Sequence, residues 1–239
     1  MKKLIFLITI FILSSNFVFS QETENKSNSD ISVSLNADIV SRYVWRGLLY
    51  SNSTNIQPQI GVSYKNFFIG SWGSYALTDN YAEVDFYMGY LYKNFTITIN
   101  DYYTENEENL SQFDHFNWGN SSTNHVLEAS ASYFLGKKLP LTVTAATFFY
   151  GNDKDANGDN NYSSYFEAKY SFSSSLYNFS FFVGGTPNKG LYASDAAIVN
   201  IGCSASKTIS IDNYKIPIEA SLISNPEAEN IFLVLKTTL

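Results

Sequence analysis

The chain has 239 residues and a formal net charge of −7, with charged residues at 15% and aromatics at 17%. An average soluble protein carries roughly 25% charged residues, so little of this chain is suited to solvating a large outer surface, and its acidic balance excludes nucleic acid, which needs a basic face. The single cysteine, Cys203, excludes an internal disulfide and, inside a strand-like run, reads as a small apolar filler.

Residues 1–20 read as a secretory signal. Lys2 and Lys3 form a positive start, Leu4 to Leu13 an apolar run broken only by Thr9, and Val18-Phe19-Ser20 a cleavage site before Gln21. A run of ten positions, nine of them apolar, falls short of the ~20 residues a spanning helix needs. Removing two lysines and no acid takes the formal charge to −9. Residues 21–30 are polar and aperiodic, a flexible periplasmic lead-in. Residues 31–239 form one domain.

From residue 31 onward the pattern has a period of two. In Glu83 to Lys93, Val84, Phe86, Met88, Tyr90 and Tyr92 share one face, and Glu83, Asp85, Tyr87 and Gly89 the other. Successive strand residues point to opposite faces, so this is a strand with one apolar and one mostly polar face. Twelve such segments are predicted: 31–50, 56–65, 67–77, 82–93, 95–104, 124–136, 139–150, 162–172, 176–187, 196–209, 215–226 and 228–239. Segment 67–77 leaves open which face turns outward. Tight turns at Lys65-Asn66, Lys93-Asn94 and Gly136 to Lys138 alternate with longer polar connections, clearest at 105–123 and 151–161. Even strand number, short periplasmic turns and longer external loops describe a transmembrane antiparallel up-and-down β-barrel of the bacterial outer membrane. The last segment alternates Ile231, Leu233, Leu235, Thr237 and Leu239, as a strand read by the barrel assembly machinery would, although with Leu239 in place of a terminal aromatic. Aromatics at strand ends, among them Tyr43, Trp45, Tyr50, Phe67, Tyr102, Tyr103, Phe148, Phe149, Tyr162 and Tyr165, are expected to form rings at the lipid–water interfaces. A soluble barrel would instead present a charged exterior.

The run Ser41-Arg42-Tyr43-Val44-Trp45-Arg46-Gly47, preceded by Ala37-Asp38-Ile39-Val40 and followed by Asn55-Ile56-Gln57-Pro58, resembles the opening of the TorF-like porins, a group also catalogued as the Gcw_chp conserved hypothetical proteins. The likeness continues through Gly70 to Ser74, Glu83 to Asp85, Asp101 to Tyr103, His125 to Ser130 and Asn225 to Glu227, nearly the whole mature chain. It implies an outer-membrane barrel with a porin role and brings no substrate and no catalytic residues.

Three constellations carry candidate chemistry. With Ile39, Tyr43 and Trp45 facing lipid, Asp38, Arg42, Arg46, Glu83, Asp85, Glu128, Glu167, Lys169, Glu219 and Lys236 face inward; an Arg or Lys on the lipid face would cost ~2–4 kcal/mol at the midplane. The set either lines an ionic pore or closes the lumen as a salt-bridge network, and Arg42 and Arg46 paired with Glu83 and Asp85 would cancel the charge there. Asp153, Asp155, Asn157 and Asp159, with Gly158, match the first half of a calcium loop, but the twelfth position is Ser164; ordinary turn chemistry explains such a cluster equally. His115 and His125 are the only histidines, and neither belongs to a recognisable nucleophile–base arrangement. The expected function is a passive outer-membrane channel for small cationic or neutral solutes, in contact with lipid and lipopolysaccharide. The alternatives are a closed structural barrel whose loops meet partners and, last, an outer-membrane hydrolase.

Overall fold

The computed structural model describes residues 30–212 and 214–239. The signal read over 1–20 and the lead-in through residue 29 lie outside them. The strands are Ile31–Val40 (β1), Tyr43–Trp45 (β2), Leu48–Ser51 (β3), Asn55–Tyr64 (β4), Phe67–Ala76 (β5), Tyr81–Tyr92 (β6), Phe95–Tyr102 (β7), Thr104–Asn106 (β8), Val126–Phe134 (β9), Leu141–Gly151 (β10), Ser164–Ser173 (β11), Asn178–Thr186 (β12), Ala197–Ile211 (β13), Tyr214–Asn225 (β14) and Asn230–Thr238 (β15).

Twelve of these, β1, β4 to β7 and β9 to β15, form a closed antiparallel ring in chain order. The seam pairs the first wall strand with the last, Asp38 opposite Thr238 and Val40 opposite Lys236. β8 extends the pairing of β6 beyond β7, with Tyr81 opposite Asn106. Closure satisfies the edge groups that an open sheet would leave unpaired. Connections alternate as the turn residues dictate: tight at 65–66 and 93–94, long at 107–125 and 152–163.

The period-two pattern sets the faces. Leu35, Ile60, Phe86, Met88, Phe166, Phe181, Leu222 and Leu233 are exposed on the outside, while Gln57, Gln59, Glu83, Asp85, Glu128, Ser180 and Ser221 are buried inside. This is the reverse of a water-soluble barrel, and so continuous an apolar surface is stabilised by hydrocarbon, not by water. β5 settles its open question through register. Ile69 pairs with Met88 and Trp72 with Asp85, so Phe67, Ile69 and Tyr75 point out and Trp72 and Ser74 point in.

The segment 31–50 is not one strand. Its apolar alternation is continuous, but the wall ladder ends where Val40 meets Asn55. Ser41 closes the ladder with main-chain and side-chain hydrogen bonds to Leu235, at 2.8 and 3.0 Å. Residues 43–51 then form a separate hairpin, β2–β3. Trp45 is buried and packs with Tyr43, Tyr50, Tyr102, Phe148, Tyr165 and Tyr192 in one internal cluster. Tyr43 and Trp45 therefore do not face lipid. Six of the ten aromatics named for the interfaces belong to this internal cluster, because a ring at a strand end can pack on an inner hairpin as readily as on headgroups. Phe67, Phe149 and Tyr162 do face outward.

The outward face yields a direct test. Ile60→Arg, in the middle of β4, is expected to destabilise the folded barrel by about 2–4 kcal/mol if that position lies near the bilayer midplane. Reversible denaturant unfolding from lipid vesicles measures it. A change below about 0.5 kcal/mol, typical of a water-exposed site, would remove the lipid assignment of this face.

Candidate functional site

The inner hairpin turns at Arg46-Gly47. Both residues take positive φ, 50° and 80°, between the pair Trp45 and Leu48, which is the type I′ arrangement that suits the twist of a hairpin. Glycine is required at the second position, since a Cβ on Gly47 would lie 1.8 Å from the Val199 carbonyl oxygen of β13. Arg46 pays for its own left-handed backbone, about 1–2 kcal/mol, through what its side chain reaches.

It reaches Glu128 on β9. Nη1 and Nη2 donate to the two carboxylate oxygens at 2.5 and 3.0 Å, and Nη1 also donates to the Tyr192 hydroxyl at 2.5 Å. Tyr102 and Asn100 donate to the same carboxylate at 3.0 and 3.3 Å. The guanidinium carbon sits 4.2 Å from the Trp45 ring centre and 4.7 Å from that of Tyr165. Both charged side chains are at most 5% exposed. A planar fork facing a carboxylate and flanked by rings is the geometry in which arginine, unlike lysine, is satisfied out of water.

Trp45 carries the hairpin the rest of the way. It packs on Tyr102 at 5.5 Å and stacks with Phe148 at 6.5 Å between centroids. Phe148 belongs to β10, six strands from β1 in either direction around the ring. The hairpin thus spans the full bore, and Asn225 pins its tip by donating to the Gly47 carbonyl at 3.2 Å.

A cavity lies on each side of this bar. One, of about 160 Å³, is lined by Arg46 and Gly47 and by wall residues including Asp38, Gln57, Trp72, Glu167, Asn200 and Lys236. The other, of about 240 Å³, opens toward the long loops and is lined by Tyr50, Glu83, Tyr102, Phe148 and Asp153, among others. Trp45 lines both.

The charged residues expected inside fall into two groups. Asp38, Arg46, Glu167, Lys169, Glu219 and Lys236 all line the first cavity. There Lys236 bridges Asp38 at 3.7 Å and Glu219 at 3.8 Å, and Glu167 accepts from Tyr165 and Asn200 at 2.6 and 3.0 Å. Glu83 and Asp85 lie toward the other mouth. Tyr81 donates to Glu83 at 2.5 Å and the Tyr103 main-chain N–H to Asp85 at 3.4 Å. Among the described residues neither forms an ion pair. The pairing of Arg42 and Arg46 with these two acids does not occur. Arg46 is committed to Glu128, and the Arg42 Nε has no hydrogen-bond partner among the described residues.

His125 has a partner that sequence spacing did not reveal. Its Nδ1 lies 2.8 Å from Asp101, Trp118 stacks on its ring at 3.8 Å, and Tyr103 stacks on His115 at 4.3 Å. The other ring nitrogen of His125 faces the main-chain carbonyl of His115 at 2.9 Å, the place a nucleophile would need. The cluster fastens the 107–125 loop to the rim.

The acidic loop does not gather its oxygens. Both carboxylate oxygens of Asp153 accept from Ser163, at 2.8 Å from its N–H and 2.7 Å from its hydroxyl. The main-chain N–H groups of Asp159 and Asn157 hold the Asp155 carboxyl below the usual carboxylate range. Asn157 contributes a further bond to that same carboxylate. Among the described residues no three His, Cys, Asp or Glu side chains converge as a metal site.

Periodicity carries no signal for Tyr192, which sits in a short connection with no motif, or for Asn200, one polar residue among many on β13, and it places Phe148 at a rim where the structure has it inside the bore.

Residues 24–184 match the family described as "Bacterial protein of unknown function (Gcw_chp)". No curated protein matches the chain. Among solved structures it is similar to "KdgM porin", at 10% identity and a TM-score of 0.48, covering 87% of this chain and 96% of that one. It is also similar to an outer membrane channel from Pseudomonas putida F1, at 13% identity and a TM-score of 0.38, covering 87% and 93%.

Two outcomes follow from the geometry. Glu128→Ala leaves Arg46 buried without its counter-charge and is expected to cost about 3–5 kcal/mol, whereas the double change Arg46→Met with Glu128→Leu recovers most of that loss; equilibrium unfolding of the three proteins shows whether it does. Asp153→Ala is expected to expose the 152–163 loop to protease equally with calcium and with chelator. Protection of the unmodified protein that appears only with calcium would support the metal reading.

Proposed function

The chain belongs to the Gcw_chp family of bacterial proteins, and we propose that this member is an outer-membrane channel, barred at its long-loop mouth by its own hairpin, for small neutral or cationic solutes. The observation that carries this reading is that one side chain, Trp45, lines the cavities on both sides of the bar, with polar walls on the inner side. A barrel built only as a scaffold has no need of a polar bore beside such a bar. The porin role implied by the resemblance to TorF-like porins agrees with this. In this reading the apolar exterior meets outer-membrane lipid, the long loops face outward beside lipopolysaccharide, the assembly machinery inserts the chain after its signal is removed, and the barrel performs no catalysis.

Cation tolerance follows from the mouth. Glu83 and Asp85 have no ion-pair partner among the described residues, and Glu105, Glu107, Glu108 and Asp114 stand in or beside the longest loop. Low-dielectric walls concentrate such a field and raise the local cation concentration, an effect that salt screens.

The second reading, a closed structural barrel, draws on the buried Arg46–Glu128 pair, which can serve as a permanent clasp. Planar-bilayer recording separates the two. The channel reading expects small conductance steps from the refolded protein, a severalfold larger step from Trp45→Ala, and a reversal potential that favours cations and weakens at high salt. Silence from both proteins decides for the closed barrel, and anion preference overturns the electrostatic part.

A further inference from the structure

The cavity of about 160 Å³ inside the bar has a chemistry that narrows the class of solute. Asn200 is buried at 6% exposure and lies on β13, with its orientation fixed. Its amide nitrogen donates to the Tyr165 hydroxyl at 2.9 Å and to Glu167 at 3.0 Å. Tyr165 in turn donates to the same carboxylate oxygen at 2.6 Å. A carboxylate accepts and cannot donate, so the amide cannot be turned over without losing that bond. Its oxygen is left as a buried acceptor with no hydrogen-bond partner among the described residues. A buried amide oxygen without a donor costs about as much as a lost hydrogen bond, and the residue lines the cavity.

The other walls are also rich in acceptors. Gln57 and Gln59 each use an N–H on the wall, toward Ser74 and Tyr87, both at 3.1 Å. That leaves their amide oxygens as acceptors on a cavity wall. Trp72 faces the same space from β5, five strands from β13 by the shorter way round. Charges of both signs line the cavity, and Lys236 is already bridged to two carboxylates.

We propose that this cavity binds one small, neutral polyhydroxyl solute of monosaccharide size, with a hydroxyl donated to the Asn200 amide oxygen and a C–H face laid on the Trp72 ring. A donor-rich solute answers the acceptors, and a flat indole suits the apolar face of a sugar ring while its hydroxyls take the rim. An apolar molecule of the same size would leave the amide oxygens unpaired, and an ion would have to compete with bridges already formed. At about 160 Å³ the space is close to the ~150 Å³ cavity that holds one benzene molecule, the size of a single six-membered ring. The proposal names the solute class of the channel reading and rests on it only for the route of entry; binding itself is measured without conduction.

The test is saturation-transfer NMR on the full refolded barrel in deuterated detergent, with D-glucose as probe and cyclohexanol, a ring of the same size with a single hydroxyl, as its counterpart. Transfer to D-glucose but not to cyclohexanol is expected. Asn200→Leu and Trp72→Leu should each weaken glucose binding roughly two- to tenfold, the worth of one hydrogen bond or one stacked ring. Trp72→Leu leaves the Asn200, Tyr165 and Glu167 bonds intact, so it serves should Asn200→Leu fail to give the far-ultraviolet strand signal of the folded barrel. No transfer to glucose, equal transfer to cyclohexanol, or transfer unchanged in the folded variants would overturn the proposal. Glucose binding with no conductance in bilayers would leave the site standing and remove the channel.

Discussion

A sheet placed in hydrocarbon has no water to satisfy its edges, and every main-chain amide must find a neighbour. That constraint organises this molecule. It forces the first wall strand onto the last and fixes the ring at a width that the strand number sets. It also turns the buried polar residues of the strands, such as Gln57, Glu128 and Ser221, to the inside. A ring of twelve lies between the small barrels that side chains fill and the wide ones that hold an aqueous channel. The chain resolves that intermediate width by filling part of the bore with its own backbone, the hairpin β2–β3, and leaving space on either side of it.

The hairpin turns a general property into a local one. A polar lumen needs only residues such as Ser, Thr and Gln. A bar across it needs a fixed end, and the fixed end here is a buried charge pair with its hydrogen bonds completed by Tyr192, Tyr102 and Asn100. Such a pair contributes little net stability compared with apolar packing of similar size, yet removing either member is costly. It is better suited to holding one arrangement than to stabilising the whole. The rings of Trp45 and Tyr165 against the guanidinium make the same point, since they favour arginine at that position over any other cation.

Much of the architecture was legible because it depends on periodicity, and periodicity is local. Val84 to Tyr92 shows its faces to anyone who counts by two. The turns at Lys65 and Lys93 show themselves as well. Their alternation with acidic loops gives strand number and up-and-down order without reference to any contact. The hairpin was not legible, for a physical reason. Arg46-Gly47 serves as a type I′ turn, but the first position holds an arginine rather than the Asn or Asp that usually marks one, and the residues around it keep alternating. Only the far wall, through Glu128 and the Val199 carbonyl, explains why the chain turns there. The same holds for His125, just ahead of β9, and Asp101 on β7, 24 residues apart, and for Asn200, whose free oxygen is defined by what its nitrogen does. Composition placed the charges inside; it could not say which of them would meet.

Residues 43–51 come before every wall residue that they touch across the bore, from Glu128 and Phe148 to Asn200 and Asn225. In the finished ring a sheet with one strand more or fewer would present Glu128 and Val199 at the wrong angle to Arg46 and Gly47, so the same few contacts that bar the bore also gauge its circumference.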